Sequence, residues 1–393
     1  MRDVVIVAGC RTPIGTIGGQ FKTLAPVELT IPVMQNLIKR SGIDPVIIDD
    51  VIWGCNYQRT YKENNLARVA AVKAGLPVTV PGITIHRNCT SSMSAIQMGF
   101  YQIRAGEAEC IMAGGSDSMS TAPHMVFNAR YGQKYGHMEM RDSMWDSLTN
   151  LGVGPAMGIT AENVADKYGI TREQMDAYSL RSQQRAVAAI DAGRFEEEII
   201  PVTVKTRKSE TTYTVDEYPK RNATLEGLQK LKPAFKEGGK VTAGNASGMN
   251  DASSGVILMS EEKAKELGCP IIAKVVSGAT TGVEPELMGI GPISSTKKAL
   301  EKAGLTVDDI DLFEINEAFS SQCLACQQEL GVPDDKLNVN GGGISLGHPV
   351  GATGSRIVIT LMYELKRRKQ RYGVATLCAG GGMGTTVVIE MMQ

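Results

Sequence analysis

The sequence lacks the features of several large classes of protein. Its net charge is −1 over 393 residues, so it has no general excess of positive charge that would attract nucleic acid. No run approaches the roughly 20 apolar residues that span a bilayer. The first strand-like run, "DVVIVAG", begins at Asp3, and we expect no secretory leader before it. We therefore expect no nucleic-acid and no membrane partner.

The eight cysteines are not arranged as in a disulfide-rich domain. They are scattered through a long chain, which favours a reducing, cytoplasmic location. Cys323 and Cys326 form a CxxC, but the surrounding "EAFSSQCLACQQEL" predicts the middle of a helix. A redox CxxC needs the helix N-terminus, where the helix dipole lowers the thiol pKa, and a zinc site needs a second ligand pair. We interpret the pair as core residues and expect no metal.

Short apolar runs that end in glycine alternate with amphipathic segments, a pattern typical of an α/β fold. Three segments of the N-terminal part recur in the same order in the C-terminal part. Residues 37–58 resemble 299–319, "ITIHRNCTSSMSAI" resembles "LNVNGGGISLGHPVGATGSRI", and "CIMAGGSDS" resembles "TLCAGGGMG". Because three matches in order are improbable by chance, we predict two duplicated βαβ halves.

A more polar region separates the two halves. We predict an N-terminal half formed by residues 1–118 and 249–270, an inserted loop domain at 119–248, and a C-terminal half at 271–393. Residues 205–240 within the insert carry nine Lys and Arg against five Asp and Glu. On charge alone, a solvated surface loop explains this excess.

One cysteine has the position of a nucleophile. "ITIHRN" predicts a strand and "SSMSAIQMGF" a helix, so Cys89 lies at the turn between them. Unpaired N–H groups at a helix N-terminus lower a thiol pKa and favour the reactive thiolate. A packed structural thiol is the commoner role of a single cysteine, so position alone leaves both interpretations open.

A cysteine nucleophile needs a base, and the chain has four histidines. His124 and His137 lie in the insert with no glycine-rich surroundings, and we expect both to be surface or packing residues. His86 lies three residues before Cys89 and fits a hydrogen-bonded core histidine. His348 lies between glycine turns in "NGGGISLGHPVGATGSR", and such a loop can present an imidazole to a pocket. The sequence therefore favours His348 as the base.

Two other motifs supply polar groups at strand ends. The glycines of "CAGGGMG" (378–384) allow a close backbone approach, and their N–H groups can line an oxyanion hole or bind phosphate. "NEAF" (316–319) places an amide and a carboxylate after a buried strand. A plain Asn turn followed by a helix-capping Glu would give the same pattern.

Together, "NCTSSMS", "TAGNASGMND", "NEAF", "NGGGISLGHPVGATG" and "CAGGGMG" resemble the motifs of the thiolase family, and the resemblance covers essentially the whole chain. It implies a layered αβαβα core of two duplicated halves, with an inserted loop domain that binds CoA. It implies the reversible Claisen condensation of two acetyl-CoA to acetoacetyl-CoA and CoA through an acyl-cysteine. CoA thioesters would then be substrates and no cofactor would be needed. A homo-oligomer, with a tetramer favoured, is also implied.

The resemblance further implies roles for individual residues. Cys89 would carry the acyl group, His348 would take its proton, and Cys378 would move a proton at Cα of the attacking acetyl-CoA. Asn316 would hold a water that acts with His348 on one thioester oxygen, and the N–H groups of Cys89 and Gly380 would form a second oxyanion hole. The matching CoA and acyl positions are Ser247, Phe235, Ala156, Met157, Leu148, Met288 and Phe319. We add Lys220 and Arg221 of the basic loop as a hypothetical contact with the ADP end of CoA.

Four positions depart from the family pattern. His86 stands where Asn is usual, Thr90 where Gly or Ala is usual, and Ser92 where many members have Gly. Ala156 stands where the short-chain biosynthetic type usually has His. These changes affect the pocket rather than the catalytic set, so the acyl chain length stays open.

Four other functions fit parts of the sequence. A broader-range 3-ketoacyl-CoA thiolase of β-oxidation would use the same motifs on longer chains. A ketoacyl synthase would need His or Asn in place of Cys378. A non-catalytic acyl-CoA-binding scaffold would be expected to have lost Cys89, His348 or Cys378, and a thiol-redox protein would depend on the poorly placed CxxC.

Overall fold

The computed structural model describes residues 2–58 and 63–392 of the chain. Up to residue 118, strands and helices alternate as predicted. The elements are β1 (Val4–Arg11), β2 (Gly15–Thr16), α1 (Pro26–Ser41), β3 (Asp50–Gly54), α2 (Leu66–Ala74), β4 (Gly82–Ile85), α3 (Ser91–Ala105) and β5 (Cys110–Ser118).

The predicted insert contains short strands and helices, of which the two longest each bury one face. Its elements are β6 (His124–Val126), β7 (Met140–Asp142), α4 (Ser143–Thr149), α5 (Met157–Lys167), α6 (Arg172–Asp191), β8 (Val202–Lys205), β9 (Glu210–Tyr213) and α7 (Leu225–Gln229). Strands β6 and β7 form one small antiparallel sheet, and β8 and β9 form another. Helix α6 begins with a capping box in which the Thr171 and Gln174 side chains bond reciprocally to backbone N–H groups.

The remainder of the chain repeats the alternation of the first part. Its elements are β10 (Asn250–Ser260), α8 (Glu261–Glu266), β11 (Ala273–Gly282), α9 (Gly291–Ala303), β12 (Leu312–Ile315), α10 (Ser320–Leu330), α11 (Gly343–Leu346), α12 (Thr353–Arg368), β13 (Tyr372–Ala379) and β14 (Met383–Met391).

The main sheet shows the duplication directly. Its strand order is β12-β13-β14-β11-β1-β10-β5-β3-β4, and β2 pairs with β10. In the first half β3 is parallel to β4 and β5, and β10 is antiparallel to β5 and β1. In the second half β12 is parallel to β13, and β14 is antiparallel to β13 and β11. The halves meet where Val4–Ile6 of β1 pairs with Ala273–Val275 of β11.

The apolar clusters define five layers. Helices α1 and α2 pack on one face of the first half-sheet, and α9 and α10 pack on the far face of the second. Helices α3 and α12 lie between the two half-sheets, with Met93, Ile96, Ile357 and Leu361 in one cluster that contains strand residues of both halves. The predicted αβαβα core is therefore confirmed. The central helices α3 and α12 directly follow the two motifs that carry Cys89 and His348.

Within the described parts of the chain, no helix is long and apolar enough to cross a membrane.

A glycine makes the central contact possible. A Cβ built on Gly115 of β5 would lie 2.0 Å from the Gly351 carbonyl oxygen and 2.7 Å from the Ser92 Cβ. The first of these atoms belongs to backbone and cannot rotate away. Glycine at 115 therefore allows the loop after His348 to lie directly on the strand.

We predict that Gly115→Ala destabilises the fold by about 1–3 kcal/mol, because one methyl group would force the backbone of residue 351 to move. Urea unfolding monitored by circular dichroism measures the change. Gly282→Ala is the matched control, since its Cβ would meet only an ordinary contact at 3.8 Å. Equal stability of the two variants would contradict this account of the contact.

Candidate active site

Cys89 lies at the strand-to-helix turn that the sequence predicts. It follows β4 and precedes the first residue of α3, Ser91, and its neighbour Asn88 has a left-handed φ of +46°. Cys89 is partly buried and packs against a small apolar cluster that contains Tyr57 and Val350. Val350 is two residues beyond His348, so the nucleophile turn and the histidine loop are in contact.

Two backbone N–H groups donate hydrogen bonds to the Cys89 sulfur. Burial raises the pKa of the Cys89 thiol to about 11, while the N–H groups of Gly380 and of Cys89 itself lower it. The buried carboxylate of Asp117 is a smaller contribution to the raised pKa. The two N–H groups lower the pKa as donors should, but the predicted net lowering of the thiol pKa is wrong because burial outweighs them. At neutral pH the thiol is protonated and needs a base.

The imidazole of His348 is held in one orientation. Its backbone N–H donates to Asn250 Oδ1 at 2.9 Å, and its Nδ1 lies 2.6 Å from Thr353 Oγ1. The Thr353 hydroxyl donates its only proton to the Pro349 carbonyl at 2.8 Å, so it accepts the Nδ1 proton. Nε2 therefore carries a lone pair, and it has no hydrogen-bond partner among the described residues.

The electrostatic surroundings keep this imidazole neutral. Burial and, to a smaller extent, the nearby Arg356 guanidinium lower the pKa of His348 to about 3. A neutral imidazole with a free Nε2 can accept a proton, which is the property a base for Cys89 requires.

The second cysteine lies close to the first. Cys378 is the second-last residue of β13 and is fully buried. Burial raises the pKa of its thiol well above the usual range. The neighbouring Cys89 and Cys326 thiols raise that pKa further. Cys378 shares an apolar cluster with Met288 and Phe319, two predicted pocket residues. A thiol with a raised pKa gives, once ionised, a stronger base.

Asn316 follows β12 and is almost completely buried. Its backbone N–H donates to the Thr376 carbonyl at 3.0 Å, which ties it to β13, the strand that contains Cys378. Both Oδ1 and Nδ2 are buried without a hydrogen-bond partner among the described residues. Because buried amides are rarely left unpaired in proteins, this amide is a candidate contact for a ligand.

A cavity of about 460 Å³ opens over Cys89 and Gly380, and His348, Cys378 and Asn316 do not line it. Four of the predicted site residues line it: Cys89, Gly380, Met157 and Leu148. His86 lines it too and is exposed, so the interpretation of His86 as a core histidine is wrong. His124 and His137 are exposed in the insert, so both are surface residues.

Other predicted pocket residues lie beside the cavity rather than on its wall. Phe235 and Phe319 pack edge to face with centroids 6.4 Å apart. The backbone N–H of Ser247 donates to the Ala318 carbonyl at 2.9 Å, next to Phe319. Ala156 is the N-cap residue of α5 and directly precedes Met157. Their contacts with substrate stay a prediction.

The basic pair stays a prediction as well. Lys220 and Arg221 are exposed and do not line the cavity. Arg221 pairs with Asp191 at 2.8 Å, and the Lys220 ammonium lies 5.7 Å from the Tyr218 ring centroid.

Sequence reasoning missed the residues that hold these loops. Asp117, on β5, accepts N–H groups from Asn56 and Tyr57 at 2.9 Å each and from Gly351 at 2.5 Å. Asn250 binds the backbone of His348. The signal for Asp117 was a carboxylate in the otherwise apolar strand "CIMAGGSDS", where an unpaired charge would be costly.

Residues 2–58 and 63–392 contain no group of three or more His, Cys, Asp or Glu that could hold a metal ion.

Comparison with known proteins gives full-length matches. A family model described as "Thiolase, N-terminal domain" matches residues 4–262, and "Thiolase, C-terminal domain" matches residues 269–391. An acetyl-CoA acetyltransferase of Syntrophomonas wolfei is 49% identical over 396 aligned positions, covering 100% of both chains. The crystal structure of the Bacillus anthracis acetyl-CoA acetyltransferase has a TM-score of 0.98 at 48% identity, covering 100% of this chain and 99% of that one. Human mitochondrial 3-ketoacyl-CoA thiolase in complex with CoA has a TM-score of 0.96 at 42% identity, covering 100% and 98%.

The pKa of Cys89 predicts how its reactivity depends on pH. Because the thiolate is the reactive form, alkylation by iodoacetamide should accelerate about tenfold per pH unit from pH 7 to 10, without a plateau. Mass spectrometry of digests follows carbamidomethylation at Cys89, and fully buried Cys110 is the internal control that stays unmodified in the native protein. A plateau near pH 7 would contradict the raised pKa.

Proposed function

The chain belongs to the thiolase family, and from its site we propose that it is an acetyl-CoA C-acetyltransferase that joins two acetyl-CoA to acetoacetyl-CoA and CoA. The observation that carries the proposal is the meeting of two thiols and a backbone donor: Cys89 and Gly380 line one cavity, and Cys378, in β13, lies two residues before Gly380. The relatives named acetyl-CoA acetyltransferase support the substrate.

In the first step Cys89 becomes acetylated. The Cys89 sulfur attacks the acetyl-CoA carbonyl, its proton passes to Nε2 of His348, and the CoA sulfur leaves as that proton returns to it. The N–H groups of Cys89 and Gly380 stabilise the oxyanion that forms on the carbonyl oxygen. One thioester replaces another, so no cofactor is needed.

In the second step the acetyl group is transferred to carbon. Cys378, as thiolate, removes a proton from Cα of a second acetyl-CoA, and the resulting carbanion attacks the carbonyl of acetyl-Cys89. The C–C bond forms and Cys89 leaves as thiolate, which takes up the proton that Cys378 removed from Cα, so that Cys378 becomes a thiolate again. Asn316 and His348 bind the oxygen of the enolate, Asn316 through a water.

A broader-range 3-ketoacyl-CoA thiolase is the second candidate. The similarity to the human mitochondrial enzyme supports it, because that relative is named for this activity. A non-catalytic scaffold is disfavoured because Cys89, His348 and Cys378 are all present. The two enzyme candidates share their chemistry and differ in acyl chain length.

We further propose a cytoplasmic homo-oligomer, a tetramer by resemblance to the family. All eight cysteines are free thiols, which fits a reducing compartment. The insert exposes large apolar side chains, among them Phe127, Tyr131, Tyr135 and Trp145, and such a cluster favours burial against another subunit. Contacts of Lys220 and Arg221 with the ADP of CoA are supported by the positive charge of residues 205–240.

We predict that the two steps can be separated by mutation. Cys378→Ser should leave acetylation of Cys89 within about threefold of wild type while abolishing acetoacetyl-CoA formation. His348→Ala should slow the acetylation itself by about 100-fold or more, because the protonated thiol loses its base. Rapid-quench mass spectrometry measures acetylation, and a coupled assay measures condensation.

Exposed His124 provides the matched control His124→Ala, and half-buried Cys269 provides Cys269→Ser. Equal loss of acetylation in Cys378→Ser and His348→Ala would refute this division of labour.

We predict that acetoacetyl-CoA, with a C4 acyl group, is the best substrate for thiolysis, with weaker activity on C5 and C6. Each methylene in an apolar pocket changes the free energy by only about 1–3 kcal/mol, so discrimination should be graded. Ala156→His should reduce C6 turnover more than C4 turnover because it fills space beside Met157. The control is Ala192→His, at an exposed helix end. A wild type that prefers C6 or longer would favour the broader-range thiolase.

A further inference from the structure

The glycine turn that carries the Gly380 N–H has few supports of its own. It connects β13 to β14, and Gly381 and Gly382 adopt φ values of +87° and +83°. The Gly382 N–H closes the turn on the Ala379 carbonyl at 3.2 Å. The Val283 N–H donates to the Gly382 carbonyl at 2.8 Å, and the Asn88 Nδ2 donates to the Gly380 carbonyl at 2.7 Å. The turn that contains Asn88 and Cys89 thus holds the turn that contains Gly380.

The Asn88 side chain is itself oriented by a neighbour. His86 Nε2 lies 2.9 Å from Asn88 Oδ1, and because an amide oxygen only accepts, Nε2 is the donor. This bond directs the amide nitrogen toward Gly380. The Asn88 carbonyl accepts the Ser91 N–H at 3.1 Å and Asn56 Nδ2 at 3.2 Å, so the backbone is fixed as well.

These residues surround the reacting sulfur. His86, Asn88, Cys89 and Gly380 all line the same cavity. We propose that Asn88, oriented by His86, is a positioning residue that aims the Gly380 N–H at the Cys89 sulfur and at the thioester oxygen bound beside it. The proposal rests on the proposed function, in which that N–H is an oxyanion donor. A donor held in place before the reaction needs no reorganisation as charge develops.

The bonds from His86 to Asn88 and from Asn88 to Gly380 can be tested by a measurement that does not require substrate. The Gly380 N–H lowers the pKa of Cys89, so a displaced turn would raise that pKa. A loss of general stability would leave the pH dependence of Cys89 alkylation in the folded enzyme unchanged. The alkylation profile therefore separates positioning from a merely structural role.

The test uses Asn88→Gly, which removes the amide and tolerates the left-handed backbone. We expect kcat for acetoacetyl-CoA thiolysis to fall about 10- to 100-fold with KM nearly unchanged, and the Cys89 alkylation profile to move to higher pH. His86→Ala should lower kcat and move the Cys89 alkylation profile to higher pH, each by less than Asn88→Gly does. The Asn88 amide nitrogen is still present in this variant, but His86 no longer orients it. Asn128→Gly is the matched control, since Asn128 is exposed and has φ of +60°.

The proposal is overturned if folded Asn88→Gly keeps wild-type kcat, or if it loses activity with no shift of the Cys89 profile. If Asn88→Gly does not fold, His86→Ala decides by the same two criteria, because His86 is exposed. A wild-type enzyme that transfers no acetyl group would refute the proposed function instead, and the alkylation profiles would still test Asn88.

Discussion

The site depends on the close packing of helices α3 and α12 between the two half-sheets. Each helix begins just after a motif that carries a reacting group, Cys89 for α3 and His348 for α12. A Cβ on Gly354 would lie 2.5 Å from the Met93 backbone nitrogen, and one on Gly115 would collide with the Gly351 carbonyl. Small residues at this contact therefore allow the turn that carries the nucleophile and the loop that carries the base to pack against each other, with Cys89 against Val350.

Burial at this contact also sets the charges of the resting site. With the pKa of Cys89 near 11 and that of His348 near 3, the pair is a neutral thiol and a neutral imidazole at physiological pH. Asp117 joins the loops on both sides and at the same time disfavours the Cys89 thiolate. Ionisation of the sulfur is thus expected to accompany attack on the substrate, when the N–H donors and His348 act together.

The sequence predicted what local patterns determine and missed what distant contacts determine. Alternating apolar runs and three ordered repeats were enough for the duplicated α/β core, and a strand followed by a helix placed Cys89 at its turn. The direction of the Cys89 pKa was wrong because the burial comes from loops far along the chain. The environment of His86 could not be predicted, because its partner Asn88 bonds to Gly380, which is 292 residues away in the sequence. The roles of Ser247, Phe235, Lys220 and Arg221 depend on a bound CoA and stay predictions.

The central claim is that acetyl transfer passes through Cys89. Incubation with acetyl-CoA, an acid quench, proteolysis and mass mapping of all eight cysteine-containing positions tests it most directly. The account predicts one acetyl group per chain, on Cys89, and its release on addition of CoA. An acetyl group on Cys378 or Cys323 with none on Cys89 would contradict it.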